Sequence, residues 1–130
     1  MSSSEATDRR AAGEQVVREM FGEEFLQDNM VAQGQGEGPA ADMARFALEQ
    51  CFGDIWARPG LDRRSRSLVT LGVLVAQGHQ WEVRNHVLGG LANGLTPEEI
   101  LEAVVQTIPY VGLPAAGQAM GSATRAIAET

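Results

Sequence analysis

Asp62-Arg63-Arg64-Ser65-Arg66-Ser67-Leu68-Val69-Thr70-Leu71-Gly72-Val73-Leu74-Val75-Ala76-Gln77-Gly78 is the stretch that decides the fold. Asp62 can accept a hydrogen bond from the unsatisfied N–H groups at a helix start, and Gly78 is placed to end the helix. Between them the first turn is polar, and the rest is apolar nearly all round: Leu68, Val69, Leu71, Val73, Leu74 and Val75. The pattern predicts a helix over 63–77. A helix apolar on every side needs cover on every side. A chain of 130 residues has little to spare for this, so a second copy is the expected supplier and self-association is predicted.

Reading outward gives more helices. Residues 8–26 form an amphipathic helix with Val16, Val17, Met20 and Phe21 on one face. Gln33-Gly34-Gln35-Gly36-Glu37-Gly38-Pro39 is a loop, and Ala40–Phe52 returns to helical spacing. Arg58-Pro59-Gly60 breaks the chain before Asp62. After Gly78 a helix is expected over 79–93, closed by Gly94. Thr96-Pro97-Glu98-Glu99 then supplies an N-cap threonine, a proline at the first helical position and a glutamate at the third, a capping box. That helix should run to about Ile108, with Pro109, Gly112 and Pro114 separating it from a last helix over about 115–128. No run alternates as a strand does. The expectation is an all-α single domain of about six helices over 1–130, with 1–38 a helical extension and loop and 39–130 the core.

Composition narrows the function. Hydrophobic residues make up 44% and charged residues 21%, the balance of a folded globular chain. The net charge of −7, with ten arginines and no lysine, argues against a nucleic-acid partner, which would need a basic surface. An acidic protein that handles a small anionic substrate must concentrate its cations, and Arg58, Arg63, Arg64, Arg66 and Arg84 lie close together in sequence. Cys51 is the only cysteine, which leaves no intrachain disulfide and no Cys-x-x-Cys pair. The first ten residues, MSSSEATDRR, lack the apolar stretch of a secretory signal, and no segment has the roughly 20 apolar residues of a membrane span. A cytoplasmic protein with no membrane partner is expected.

His79, Glu82 and His86 are spaced i, i+3, i+7, one stripe of an ideal helix. Three readings stay open: a solvated face with a casual Glu–His pair, a metal site, or a metal-free acid–base site. Two histidines and a glutamate are plausible zinc ligands, but their spacing is not that of His-Glu-x-x-His.

The segments Ile55-Trp56-Ala57-Arg58-Pro59-Gly60-Leu61-Asp62, Arg63-Arg64-Ser65-Arg66-Ser67-Leu68 and Glu82-Val83-Arg84-Asn85-His86 together resemble the carboxymuconolactone decarboxylase family. Gly94-Leu95-Thr96-Pro97-Glu98-Glu99-Ile100 and Tyr110-Val111-Gly112-Leu113-Pro114-Ala115-Ala116 are similar to it as well, so the resemblance covers roughly residues 52–116. It implies the alkylhydroperoxidase D-like helical fold and a trimer or hexamer. Peroxidases of that fold carry Cys-x-x-Cys-x-x-x-His. Here His79 and Glu82 stand at the cysteine positions and His86 at the histidine, so the thiol reaction has no nucleophile.

The resemblance implies loss of CO2 from 4-carboxymuconolactone, giving the 3-oxoadipate enol-lactone of aromatic catabolism (the β-ketoadipate pathway). The lactone conjugation accepts the released electron pair, so no metal, pyridoxal phosphate or thiamine is called for. It assigns His86 as proton donor or enolate stabiliser and Glu82 as its partner. Arg63, Arg66 and Ser67 are expected to grip carboxylates, arginine because its fork matches two oxygens. Trp56, Tyr110 and His79 complete the expected substrate-binding set, although core packing is the ordinary role of an aromatic. Arg84 falls about 200° round its helix from Glu82 and His86. His79, Pro109 and Gly117 depart from the family pattern near the expected pocket. Two alternatives therefore stand beside the lactone: another cofactor-free decarboxylation or cyclisation of an aromatic or polyketide-like acid, and a silent oligomeric small-molecule-binding protein.

Overall fold

A computed structural model describes residues 3–130, and every regular element in it is helical. The contacts divide the chain between Leu61 and Asp62 into two compact units.

In the first unit, α1 spans Ser3–Phe21 and α2 spans Glu23–Phe25, continued by a π-helical segment Leu26–Val31. The single helix expected over 8–26 is thus interrupted at Gly22, whose φ of 94° lies outside the helical region. The loop then leads to α3, Pro39–Phe46, continued by a π-helical segment Ala47–Trp56. Its wide turns show in the Ala57 N–H donating five residues back to the Phe52 carbonyl, at 3.2 Å. The helix passes through Gly53, beyond the expected end at Phe52, because two glycines let it lie against α1. The missing Cβ of Gly13 faces the Leu48 carbonyl, and that of Gly53 faces the Arg9 carbonyl. Val17, Leu26, Met30 and Leu48 form the core of this unit. Arg9 closes the pair with two bonds to the Asp54 carboxylate, at 2.8 and 2.5 Å.

The second unit holds α4 (Arg63–Gln77), α5 (Gln80–Ala92), α6 (Pro97–Val111) and α7 (Leu113–Ala128). The Asp62 carboxylate accepts from the Ser65 N–H at 2.7 Å, and Gly78 ends the helix as expected, turning the chain in the left-handed region at φ 73°, ψ 22°. The capping box also forms: the Glu99 N–H donates to Thr96 Oγ1 at 3.1 Å, and the Thr96 N–H to Glu99 Oε1 at 2.9 Å. Arg64 and that N–H hold the Glu99 carboxyl down at about 2. Helix α6 runs past its expected end at Ile108 to Val111. Pro109 lies in its last turn, and the break comes at Gly112, with φ 88°. Pro114 opens α7 from within, since the first turn of a helix tolerates a residue with no N–H.

Leu71, Val75, Val83, Val87, Ile100 and Val104 centre the core of this unit, with four alanines of α7 packed against them. Helix α4 is only half covered. Leu71 and Val75 are buried, while Leu68, Val69 and Val73 remain 39%, 61% and 49% exposed.

Candidate functional site

Helix α5 carries both Glu82 and His86. Val83 and Val87 bury its core side, and His86 lies between them in sequence, its side chain 10% exposed. Glu82, one turn earlier, is 48% exposed, and its Oε2 stands 3.8 Å from His86 Nε2. That is an electrostatic contact, longer than a hydrogen bond. Burial holds the imidazole at about 4, well below the ordinary histidine value. The ring is therefore neutral at pH 7, because desolvation disfavours its charged form.

The three-residue stripe becomes a pair. His79 is the N-cap residue of α5 (φ −83°, ψ 85°), so it precedes the helix, and its side chain is exposed. Its carbonyl accepts the Val83 N–H at 2.8 Å. Among the described residues, no three His, Cys, Asp or Glu side chains gather as metal ligands.

Arg63 and Arg66 sit half-buried in the first turn of α4. Ser67 is completely buried and accepts a hydrogen bond from Asn93 Nδ2 at 2.9 Å. Arg64 is committed to structure, bonded to the Gly94 carbonyl and to Glu99 Oε2 at 2.5 Å. Arg84 pairs with Glu129, its guanidinium 5.8 Å from the Trp81 ring, consistent with a face turned from Glu82 and His86. Trp56 belongs to the first unit, where it stacks on Phe52 with ring centroids 6.1 Å apart. Tyr110, in the last turn of α6, is 82% exposed. Asn93 was not among the residues expected from sequence. A polar residue just before a glycine at a helix end signals only a cap, and its partner Ser67 is 26 positions away.

A buried neutral imidazole beside a solvated carboxylate suits proton handling or stabilisation of an oxyanion. The sequence profile of the carboxymuconolactone decarboxylase family matches residues 41–125. The chain belongs to the carboxymuconolactone decarboxylase family. It is 42% identical over 79 residues to the 4-carboxymuconolactone decarboxylase of Acinetobacter baylyi, covering 61% of this chain and 59% of that protein. It is 35% identical over 108 residues to a nitrosuccinic acid decarboxylase of Metarhizium robertsii, covering 83% and 73%. An uncharacterized 15.0 kDa protein of Paracoccus denitrificans is 39% identical over 84 residues, covering 63% of each. The chain thus spans less than two thirds of the length of two of these three relatives. No helix among the described residues is long and apolar enough to cross a membrane.

Proposed function

We propose that this protein is a cofactor-free carboxy-lyase acting on a small dicarboxylate whose departing carboxylate sits on a carbon bearing an electron sink. The Glu82–His86 pair, held on α5 in a chain of this family, is the observation that carries the reading. The two named relatives support the substrate class. Both 4-carboxymuconolactone and nitrosuccinic acid are succinates at heart: one carbon holds the carboxylate to be lost, an attached CH2–COO⁻ arm, and either a conjugated lactone or a nitro group. In each the C–C bond breaks, the electron pair moves into the sink as an enolate or nitronate, and a proton is later added to carbon.

His86 and Glu82 fit that demand. A neutral imidazole N–H can donate to the oxygen that gains charge, in a site poor in water. A dianionic substrate alongside raises the proton affinity of the ring, so the ring can also carry the proton that carbon receives. Glu82 opposes the ring's positive charge once it forms. Arg63 and Arg66 are assigned to the carboxylates, with His79 and Tyr110 as the further expected binding set. The protein works in the cytoplasm, as a homo-oligomer, trimer or hexamer. The exposed Leu68, Val69 and Val73 support the assembly.

Our first substrate is 4-carboxymuconolactone, in the β-ketoadipate pathway of aromatic catabolism. The second reading, recruitment to another cofactor-free decarboxylation, draws support from the greater share of the chain matched by the nitrosuccinic acid enzyme. Incubation with each compound in parallel, following CO2 release and loss of the lactone absorbance, separates them. Release from neither overturns the proposal and favours a silent binding protein.

A further inference from the structure

We propose that Asn93 is a positioning residue: through its bond to Ser67 it fixes the axial register of α4 against α5, and with it the placement of Arg63 and Arg66 relative to the Glu82–His86 pair. This inference rests on the decarboxylase reading above.

Three contacts agree on the register. Asn93 Nδ2 donates to Ser67 Oγ at 2.9 Å, a Cβ added at Gly90 would lie 3.8 Å from Ser67 Cβ, and Arg64 bonds to the Gly94 carbonyl. The arginine-bearing turn of α4 therefore lies at the C-terminal end of α5. His86 stands seven residues before Asn93, about 10 Å back along the axis. How far the α4 cations stand from the acid–base pair is thus set by how far α4 has slid along α5.

The crossing itself resists sliding poorly. Ser67 and Gly90 are small, and Gly90 leaves room that Leu95 and Ile100 fill from the side, at 3.2 and 3.7 Å from a built Cβ. A directional bond at a wholly buried hydroxyl opposes what shape does not, because breaking it strands a polar group away from water. The Arg64–Glu99 pair, being exposed, is the weaker tether. One residue of slip moves the arginines about 1.5 Å. A misplacement of about 1 Å can cost on the order of 10²-fold in rate or binding.

Steady-state kinetics test this on wild type, Asn93→Ala, Asn93→Asp and Arg64→Ala, and on Asn93→Ala combined with Arg63→Ala or Arg66→Ala. The substrate is whichever of the two acids the wild type decarboxylates, and calorimetry with succinate reads binding without turnover. Asn93→Ala should raise KM about tenfold or more with kcat within about threefold, since contact to the spectator carboxylate is nearly equal in ground and transition states. Succinate affinity should fall in step. In the Asn93→Ala background, removing Arg63 or Arg66 should add little. Asn93→Asp, whose carboxylate accepts the Ser67 hydroxyl proton, should recover most of the loss, and Arg64→Ala should stay within about twofold of wild type. If Asn93→Ala does not fold, Ser67→Ala carries the same test with the same KM rise. An unmoved KM with only a lower Tm, or full additivity with the arginine substitutions, overturns the register role alone. A wild type that neither decarboxylates nor binds succinate overturns the underlying reading, and the register role falls with it.

Discussion

Glu82 Oε2 lies 3.8 Å from His86 Nε2, and the two side chains differ nearly fivefold in exposure, 48% against 10%. One turn of α5 thus joins a solvated carboxylate to an imidazole in the protein interior. Burial keeps the ring neutral, and the carboxylate beside it would oppose a positive charge on the ring.

The first prediction follows from that geometry. His86→Ala should lower kcat by about 10²–10⁴-fold, the range for losing one acid–base group. Glu82→Gln should cost less, because the ring remains. His79→Ala should leave kcat nearly unchanged, since its side chain is exposed and outside the helix that holds the pair. A His79→Ala defect equal to that of His86→Ala would shift the chemistry to the start of α5.

The burial of His86 also makes stability depend on pH. The folded ring titrates at about 4 and the unfolded one near 6.5, so between those values the unfolded chain binds the extra proton. The contribution is fully present above about 6.5 and is lost as pH falls towards 4. Its ceiling is about 3 kcal/mol for a shift of this size. Melting curves from pH 7.5 to 4 should show Tm falling through that window, and His86→Phe should flatten the slope. Glu99, depressed to about 2 by Arg64 and the Thr96 N–H, adds a loss only at lower pH, as that carboxylate protonates.

Two glycine substitutions should move stability in opposite directions. A Cβ at Gly13 would run into the Leu48 carbonyl, which is backbone and cannot step aside. Gly13→Ala should therefore destabilise by about 1–3 kcal/mol or more. At Gly117, in α7, a Cβ meets nothing within 4 Å, and alanine should stabilise by about 0.5–1 kcal/mol. Denaturant midpoints for the two variants decide this.

Light scattering checks the proposed assembly. Wild type should be a trimer or hexamer at micromolar concentration, and Val69→Glu, which charges the most exposed of the large apolar side chains of α4, should shift it towards monomer. A wild-type monomer would leave that apolar face without a role.

Turnover should survive exhaustive chelation. The electron sink lies in the substrate, and His79 stands at the cap rather than in line with Glu82 and His86. Loss of activity that zinc restores would make ligands of these side chains.

Local chemistry made much of the second unit legible. The Asp62 cap, the Gly78 turn and the Thr96–Glu99 capping box each involve residues within a few positions of one another, and all formed as read. Ends set by packing were harder to read. The helix containing Gly53 runs on to Trp56 against α1, a contact between residues some forty positions apart. Pro109 looked like a stop, yet α6 runs through it to Val111, at the cost of one i→i−4 hydrogen bond.

By itself the sequence determined the helical class, the family and the identity of the Glu82–His86 pair, since these depend on residue type, period and short spacing. Only the tertiary structure decided that His79 drops out of the stripe, that His86 is neutral at pH 7, and that Ser67 is spoken for by Asn93. The physical reason is common to the last two. Desolvation and hydrogen-bond satisfaction depend on what surrounds a side chain in space, and those neighbours come from distant parts of the chain.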